Sequence, residues 1–250
     1  MLITLRFDGS RYHGFQVQKN ALTVCEVFQN AVEAILGERC DVKGCSRTDS
    51  GVHAEMYCVS MKITQSIPEQ GLLRALNTAL PEDVAVINIQ AVSPDFHARY
   101  DCISKTYRYI IYNAAFRDPF RPLRTYHCAY PLDEKMLNTE AIDFCGTYDF
   151  SAFCAAGSSV KDTTRTITDA SVIRAENDVV FEVSGSGFLY NMVRIMAGTL
   201  LDIAAGKLER GSIPAIISGR DRARAGRTAP ARGLYLYRVS YREENGVNYY

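Results

Sequence analysis

At 250 residues the chain is long enough for one large domain or two small ones, and 47% hydrophobic with 22% charged residues is the balance of a soluble globular protein with no low-complexity segment. Its 28 cationic side chains equal its 28 acidic ones, a net charge of zero that, taken alone, argues against a nucleic-acid binder. Neither a signal peptide nor a membrane span is expected: residues 1–20 carry Arg6, Asp8, Arg11 and Lys19, and the most apolar run, Phe188 to Ala205, is broken by Asn191, Arg194 and Asp202 and reads as a buried helix.

Leu2 to Arg6 reads as a strand, followed by a loop rich in glycine and aromatics from Phe7 to Gln18. Thr23-Val-Cys-Glu26 has the spacing of a capping box and opens a helix with Val24, Val27, Phe28, Ala31 and Ile35 on one face, closed at Gly37. Asp41 to Cys45 is predicted as a strand, and Cys58 to Ile63 as another by its alternation. Pro68 starts a helix with Leu72, Leu73, Leu76 and Leu80 inward, and Val84 to Val92 is a fourth strand. The order is β-α-β-β-α-β, the ferredoxin-like pattern. The second half repeats it. Thr106 to Tyr112 is a strand, Asp133 caps a helix, Thr164 to Ile173 and Val179 to Ser184 are strands, Phe188 to Ala205 is a helix with a short one from Ile213, and Leu234 to Tyr241 closes the chain. The prediction is an α+β fold of two ferredoxin-like (βαββαβ) halves with antiparallel sheets flanking a central basic cleft, residues 1–95 carrying the aspartate loop and 96–250 completing the cleft, where a ligand would bind.

Charge is clustered despite the zero sum. Residues 97–125 hold Arg99, Lys105, Arg108, Arg117, Arg121 and Arg124 against Asp101 and Asp118, net +4; residues 206–233 hold seven cations against Glu209 and Asp221, net +5. Such clusters point to a basic face for a polyanion, or, more blandly, to a salt-bridged surface. The eight cysteines lack any C-x-x-C spacing, so they read as reduced thiols of a cytoplasmic protein, and a zinc site is not expected.

The densest chemistry is Arg47-Thr-Asp-Ser-Gly-Val-His-Ala54. In extended backbone Arg47 and Asp49 share a side, where a guanidinium favours the ionised carboxylate, suited to act as a nucleophile or to face developing positive charge. The alternative is a hairpin tip whose Asp-Ser-Gly only makes a turn. Beside it stand Phe7 to Gln16, Phe96-His-Ala-Arg99, Lys105-Thr-Tyr-Arg-Tyr109 and Gly187-Phe-Leu-Tyr-Asn-Met-Val-Arg194, which supply stacking rings and guanidinium groups for an unstacked base. Three of the four histidines, 13, 53 and 97, fall in these stretches; Tyr107, taken by itself, reads first as a core aromatic of its strand. Aspartic-protease chemistry is excluded because the second Asp-Ser/Thr-Gly is absent, and no phosphate-cradling glycine motif is present.

Taken together these blocks resemble the tRNA pseudouridine synthases of the TruA type. The octapeptide matches their signature, Phe7-Asp-Gly-Ser10 with Tyr12, Gly14 and Gln16 their opening segment, and Phe96 to Arg99, Lys105 to Tyr109, Gly187 to Arg194 and Thr228 to Leu234 later blocks. Phe15 stands where the family often has tryptophan, and the lead-in 158–163 is less typical. The resemblance implies isomerisation of uridine to pseudouridine at positions 38, 39 and 40 of the tRNA anticodon stem-loop. It implies Asp49 as the catalytic carboxylate, Arg47 paired with it and displacing the base, Tyr107 stacking on the flipped uracil and Leu234 walling the pocket, with His53, Arg99 and Arg194 among the substrate-binding residues. It further implies no metal or cofactor, a homodimer, and tRNA as partner without a membrane. A non-catalytic RNA-binding protein on the same scaffold is the rival reading.

Overall fold

The computed structural model describes residues 1–157 and 160–242, so Ser158 and Ser159 of the atypical lead-in lie outside the described residues. The fold is a mixture of helix and sheet, and the chain divides into two compact units, one formed by residues 1–103 with the chain from 235, the other by 104–234. The expected division at 95/96 differs from this one in the placement of residues 96–103 and of the last strand.

In the first unit, strands β1 (Leu2–Phe7), β2 (Lys43–Gly44), β3 (His53–Ser60) and β4 (Val84–Gln90) alternate with helices α1 (Val24–Leu36) and α2 (Glu69–Ala79). β1 runs antiparallel to both β3 and β4, and β2 pairs antiparallel with the far end of β3, so the order is β4-β1-β3-β2. The local signals act as expected. The Thr23 side chain accepts the Glu26 N–H at the start of α1, and Gly37 ends it in the left-handed region at φ 72°. The buried face of α1 is Val24, Cys25, Phe28, Ala31, Val32 and Leu36; complete burial of a side chain such as Phe28 is worth about 1.5–3 kcal/mol.

β3 departs from its expected span: it begins at His53, inside the octapeptide, rather than near Cys58. The cause is non-local. His53 and Ala54 pair in parallel with Tyr235 and Leu236 of the chain's last strand, Leu234–Tyr241. β2 is correspondingly short, two residues where five were expected.

The second unit holds β5 (Cys102–Asn113, entering from the first unit), β6 (Tyr126–Cys128), α3 (Glu134–Ile142), β7 (Gly146–Asp149), β8 (Thr164–Ala175), β9 (Asp178–Gly185), α4 (Met192–Ala204) and α5 (Ile213–Gly219); the last strand of the chain is β10. β5, β9, β8 and β7 are antiparallel neighbours in that order, and β6 lies parallel to the end of β5. Asp133 caps α3 by accepting the N–H groups of Lys135 and Met136. Helix α4 starts at Met192 instead of Phe188, because Asn191 takes the left-handed conformation, φ 59°. From Met192 to Ile203 every residue but Arg194 is buried, as an apolar helix must be. Burial pushes the Cys25 and Cys58 thiols up to about 11, so they behave as small hydrophobes. Among the described residues no helix is long and apolar enough to cross a membrane.

Candidate active site

The octapeptide loop is set in place by main-chain packing. Gly51 donates its N–H to the Tyr12 carbonyl at 3.1 Å and the Ser50 hydroxyl donates to the same oxygen at 3.3 Å. The Val52 N–H closes a turn on the Asp49 carbonyl at 3.2 Å, with Gly51 at φ 77°. The Asp-Ser-Gly turn is therefore real; it also fixes the backbone of Asp49 on both sides. The segment Phe7 to Gln16 lies directly against it. A Cβ on Gly9 would stand 1.9 Å from the Val52 carbonyl oxygen, and one on Gly14 2.2 Å from that of Thr48, so only glycine allows this approach.

Behind the loop, the Phe15 ring stacks on Tyr57 with centroids 4.1 Å apart, and the Tyr57 hydroxyl donates to the Ser46 carbonyl. The Tyr12 hydroxyl donates to Asp83 Oδ1 at 2.6 Å, which anchors the opening segment to the turn before β4. Asp83 and Tyr57 are contributors that the sequence motifs do not reveal; their partners are distant in the chain and no local spacing marks them.

His53 is 1% exposed. Its Nδ1 lies 3.1 Å from the Gly9 N–H and equally 3.1 Å from Asp8 Oδ1, and its ring stacks on Tyr235 at 4.6 Å. One ring nitrogen cannot accept from Gly9 and donate to Asp8 at once. Asp8 Oδ1 already accepts from the Ser10 N–H and hydroxyl at 3.0 and 2.5 Å, whereas a buried Gly9 N–H without an acceptor would cost about 1–3 kcal/mol. We therefore assign Nδ1 as the acceptor and the proton to Nε2. Arg47 is exposed and Asp49 half-buried. Arg99 is exposed, with its N–H donated to His97 Nδ1 and its guanidinium 5.9 Å from the Tyr100 ring centroid.

The second unit places the remaining predicted residues on its own elements. Tyr107 is buried in β5 and meets Phe188 edge-on at 5.0 Å and 80°. Arg194, in the first turn of α4, donates from Nε to the Ala229 carbonyl at 2.8 Å and from Nη1 to Asn191 Oδ1 at 2.6 Å, while its own carbonyl accepts the Ala229 N–H. The chain from 226 to 229 thus runs along α4, where Gly198 permits it: a Cβ there would lie 1.7 Å from the Arg227 carbonyl oxygen. It delivers Leu234, buried, to the start of β10. Among the described residues there is no group of three metal-ligating side chains.

A family model described as tRNA pseudouridine synthase matches residues 3–101 and 141–242, two stretches that include every candidate above except Tyr107. The chain belongs to this family. It is 47% identical over 239 residues to the tRNA pseudouridine synthase A of Acetivibrio thermocellus, covering 96% of this chain and 98% of that one. Against the synthase of the same name from Ruminiclostridium cellulolyticum the identity is 45% over 240 residues, again 96% and 98%; against that of Thermoanaerobacter sp. it is 42% over 241 residues, 96% and 99%. As a tRNA pseudouridine synthase the chain is an isomerase that turns uridine into pseudouridine in tRNA.

Proposed function

We propose that this synthase acts on uridines 38, 39 and 40 of the tRNA anticodon stem-loop and that Asp49 is the carboxylate on which the reaction turns. The isomerisation breaks the bond from C1′ to N1 and makes one from C1′ to C5; the C5 proton leaves, N1 gains one, and no atom is added. A single carboxylate serves either route through this exchange, by attacking C1′ or by facing its oxocarbenium character. The observation that carries the reading is the contrast within one loop: backbone clamped against Gly9 and Gly14, and the Asp49 side chain half-buried rather than sunk in the core. Such clamping is what holding a reacting group in a near-attack position requires.

In the same reading Arg47 pairs with the carboxylate and displaces the target base, Tyr107 stacks on the extruded uracil, Leu234 supplies an apolar wall, and Arg99 and Arg194 serve substrate phosphates. Extruding a base costs a few kcal/mol, which stacking and charge contacts offset. His53, enclosed by Gly9, Asp8 and Tyr235, is a positioning residue that holds the loop against the opening segment. The finer fold reading belongs to the same proposal: two ferredoxin-like halves, a reading supported in the first unit by its β4-β1-β3-β2 order. So do a homodimer and a cytoplasmic location.

The test is to map pseudouridine in unmodified tRNA after incubation with wild-type protein and with Asp49→Asn. Wild type should yield product at 38, 39 and 40, and the variant should bind tRNA yet form none. Conversion by the variant at the wild-type rate would remove Asp49 from the chemistry, and product elsewhere would remove the positional assignment.

A further inference from the structure

The connection from β5 to β6 contains Phe116-Arg117, Phe120-Arg121 and Leu123-Arg124, an arginine after each of its three large apolar side chains. It lies between the two stretches matched by the family model. Phe116 is 85% exposed, Phe120 92% and Leu123 57%. The backbone that carries them is tightly organised. Phe120 donates its N–H to Asp118 Oδ1 at 2.8 Å, Arg121 donates to the Asp118 carbonyl at 3.2 Å, and Arg124 donates to the Arg121 carbonyl at 3.2 Å. Arg121 fastens these turns to β9 through a two-pronged pair with Asp178, 2.8 and 2.5 Å, and its guanidinium stands 5.1 Å from the Tyr112 ring centroid. At the base of the connection the His127 ring bonds to the Ala114 carbonyl.

Ordering a backbone costs about 1–2 kcal/mol per residue, and a phenyl ring left in water forgoes about 1.5–3 kcal/mol of burial. Folding alone gives no return for holding two rings outward on a fastened loop. Charge then selects the partner. Arg121 is paired with Asp178, and Arg117 and Arg124 are exposed residues of the same connection. Aromatic faces interleaved with guanidinium groups suit unpaired bases and their phosphates. We propose that Phe116 and Phe120 form a stacking platform for unpaired nucleotides of the tRNA, with Arg117 and Arg124 on the flanking phosphates. The proposal rests on tRNA as substrate and is independent of the role of Asp49.

The test uses the full chain with Phe116→Ala/Phe120→Ala, the ring-keeping Phe116→Tyr/Phe120→Tyr, the apolar Phe116→Leu/Phe120→Leu, and Arg117→Ala. Affinity for unmodified tRNA is measured by fluorescence anisotropy at several salt concentrations, and the assembly state of the free protein by sedimentation. Stacking is worth ~1–3 kcal/mol per base, so the alanine pair, which removes two rings, should bind tRNA at least about 30-fold more weakly. The leucine pair should be weakened alike, the tyrosine pair should retain affinity, and Arg117→Ala should lower the salt slope by about one. Unchanged affinity in the alanine pair, full affinity in the leucine pair, or a smaller assembly in sedimentation would each overturn the proposal; the last would make this loop a contact between copies of the chain. Failure here leaves Asp49 untouched, because Asp49→Asn is read by lost conversion with binding retained.

Discussion

Gly14 lies so close to Thr48 that a methyl group on its Cα would stand 2.2 Å from the Thr48 carbonyl oxygen, and its φ of 82° is one that side-chain-bearing residues avoid. The residue after Thr48 is Asp49, so a displacement here passes to the proposed catalytic carboxylate within one peptide unit. Two motifs 30 residues apart in the chain, ~100 Å if extended, thereby act as one structural piece.

Gly14→Ala should therefore damage the rate more than the fold. The left-handed backbone costs an alanine about 1–2 kcal/mol, and the overlap forces the loop to shift. Single-turnover conversion should fall by about 10²-fold, the usual consequence of an ångström-scale misplacement, with a visible drop in melting temperature. Measured tRNA affinity should stay within about threefold. A variant that converted uridine at the wild-type rate would show that Asp49 does not depend on this approach for its position.

Tyr107 offers two separable contributions, its ring and its hydroxyl. The ring is buried and set edge-on to Phe188, a geometry that phenylalanine at 107 preserves. If stacking on uracil is its role, Tyr107→Phe should lose only a few-fold in conversion rate, while Tyr107→Leu, which removes the ring, should lose far more. An inactive phenylalanine variant that still binds tRNA would instead place the hydroxyl in proton transfer at C5.

The parts of the fold legible in the sequence are those whose cause lies within a turn or two. The Thr23 cap, the Gly37 stop and the Asp133 cap are each set by neighbours two to four residues away. The strand that starts at His53 was not legible, because its partner is Tyr235 at the other end of the chain. The same holds for β6 and β7, three and four residues long, whose pairings supply what their own composition does not. In the site, the sequence picked out Phe7–Gln16 and Arg47–Ala54 as separate stretches. What joins them is a main-chain approach at two glycines, and a glycine in sequence does not say what it is close to. The burial of His53 has the same origin: the motif marks the residue, and its pairing with Tyr235 comes from the far end of the chain.

Arg194 binds Ala229 and Asn191 with two different nitrogens of one rigid fork. A lysine ammonium carries the same charge but cannot span both acceptors from one fixed plane. Arg194→Lys should accordingly loosen the run 226–229 along α4 and, through it, the start of β10 at Leu234. Loss of about 1–3 kcal/mol in urea unfolding is expected. Full stability in the lysine variant would mean that the cation, not the fork, is what this position needs.

Asp149 gives a pH-dependent test. Its Oδ1 accepts the Thr163 hydroxyl at 2.6 Å and the Ser151 N–H at 3.0 Å, and Arg220 Nε lies 3.3 Å from Oδ2. The Thr163 hydrogen bond, ahead of the Ser151 and Arg220 contributions, holds this carboxyl below its ordinary value of 3.8, with burial acting in the opposite sense. A carboxyl whose pKa is lower folded than unfolded stabilises the fold fully above the unfolded value and loses that contribution as pH falls through the folded one. Thr163→Val removes the largest cause. At pH 7 the variant should be less stable by about 1 kcal/mol in urea unfolding, and the gap should narrow progressively as the pH is taken below 3.8. The sign is decisive: a gap of equal size at pH 7 and pH 3 would trace the loss to packing around residue 163, since only a contribution from the ionised carboxylate can vanish on protonation.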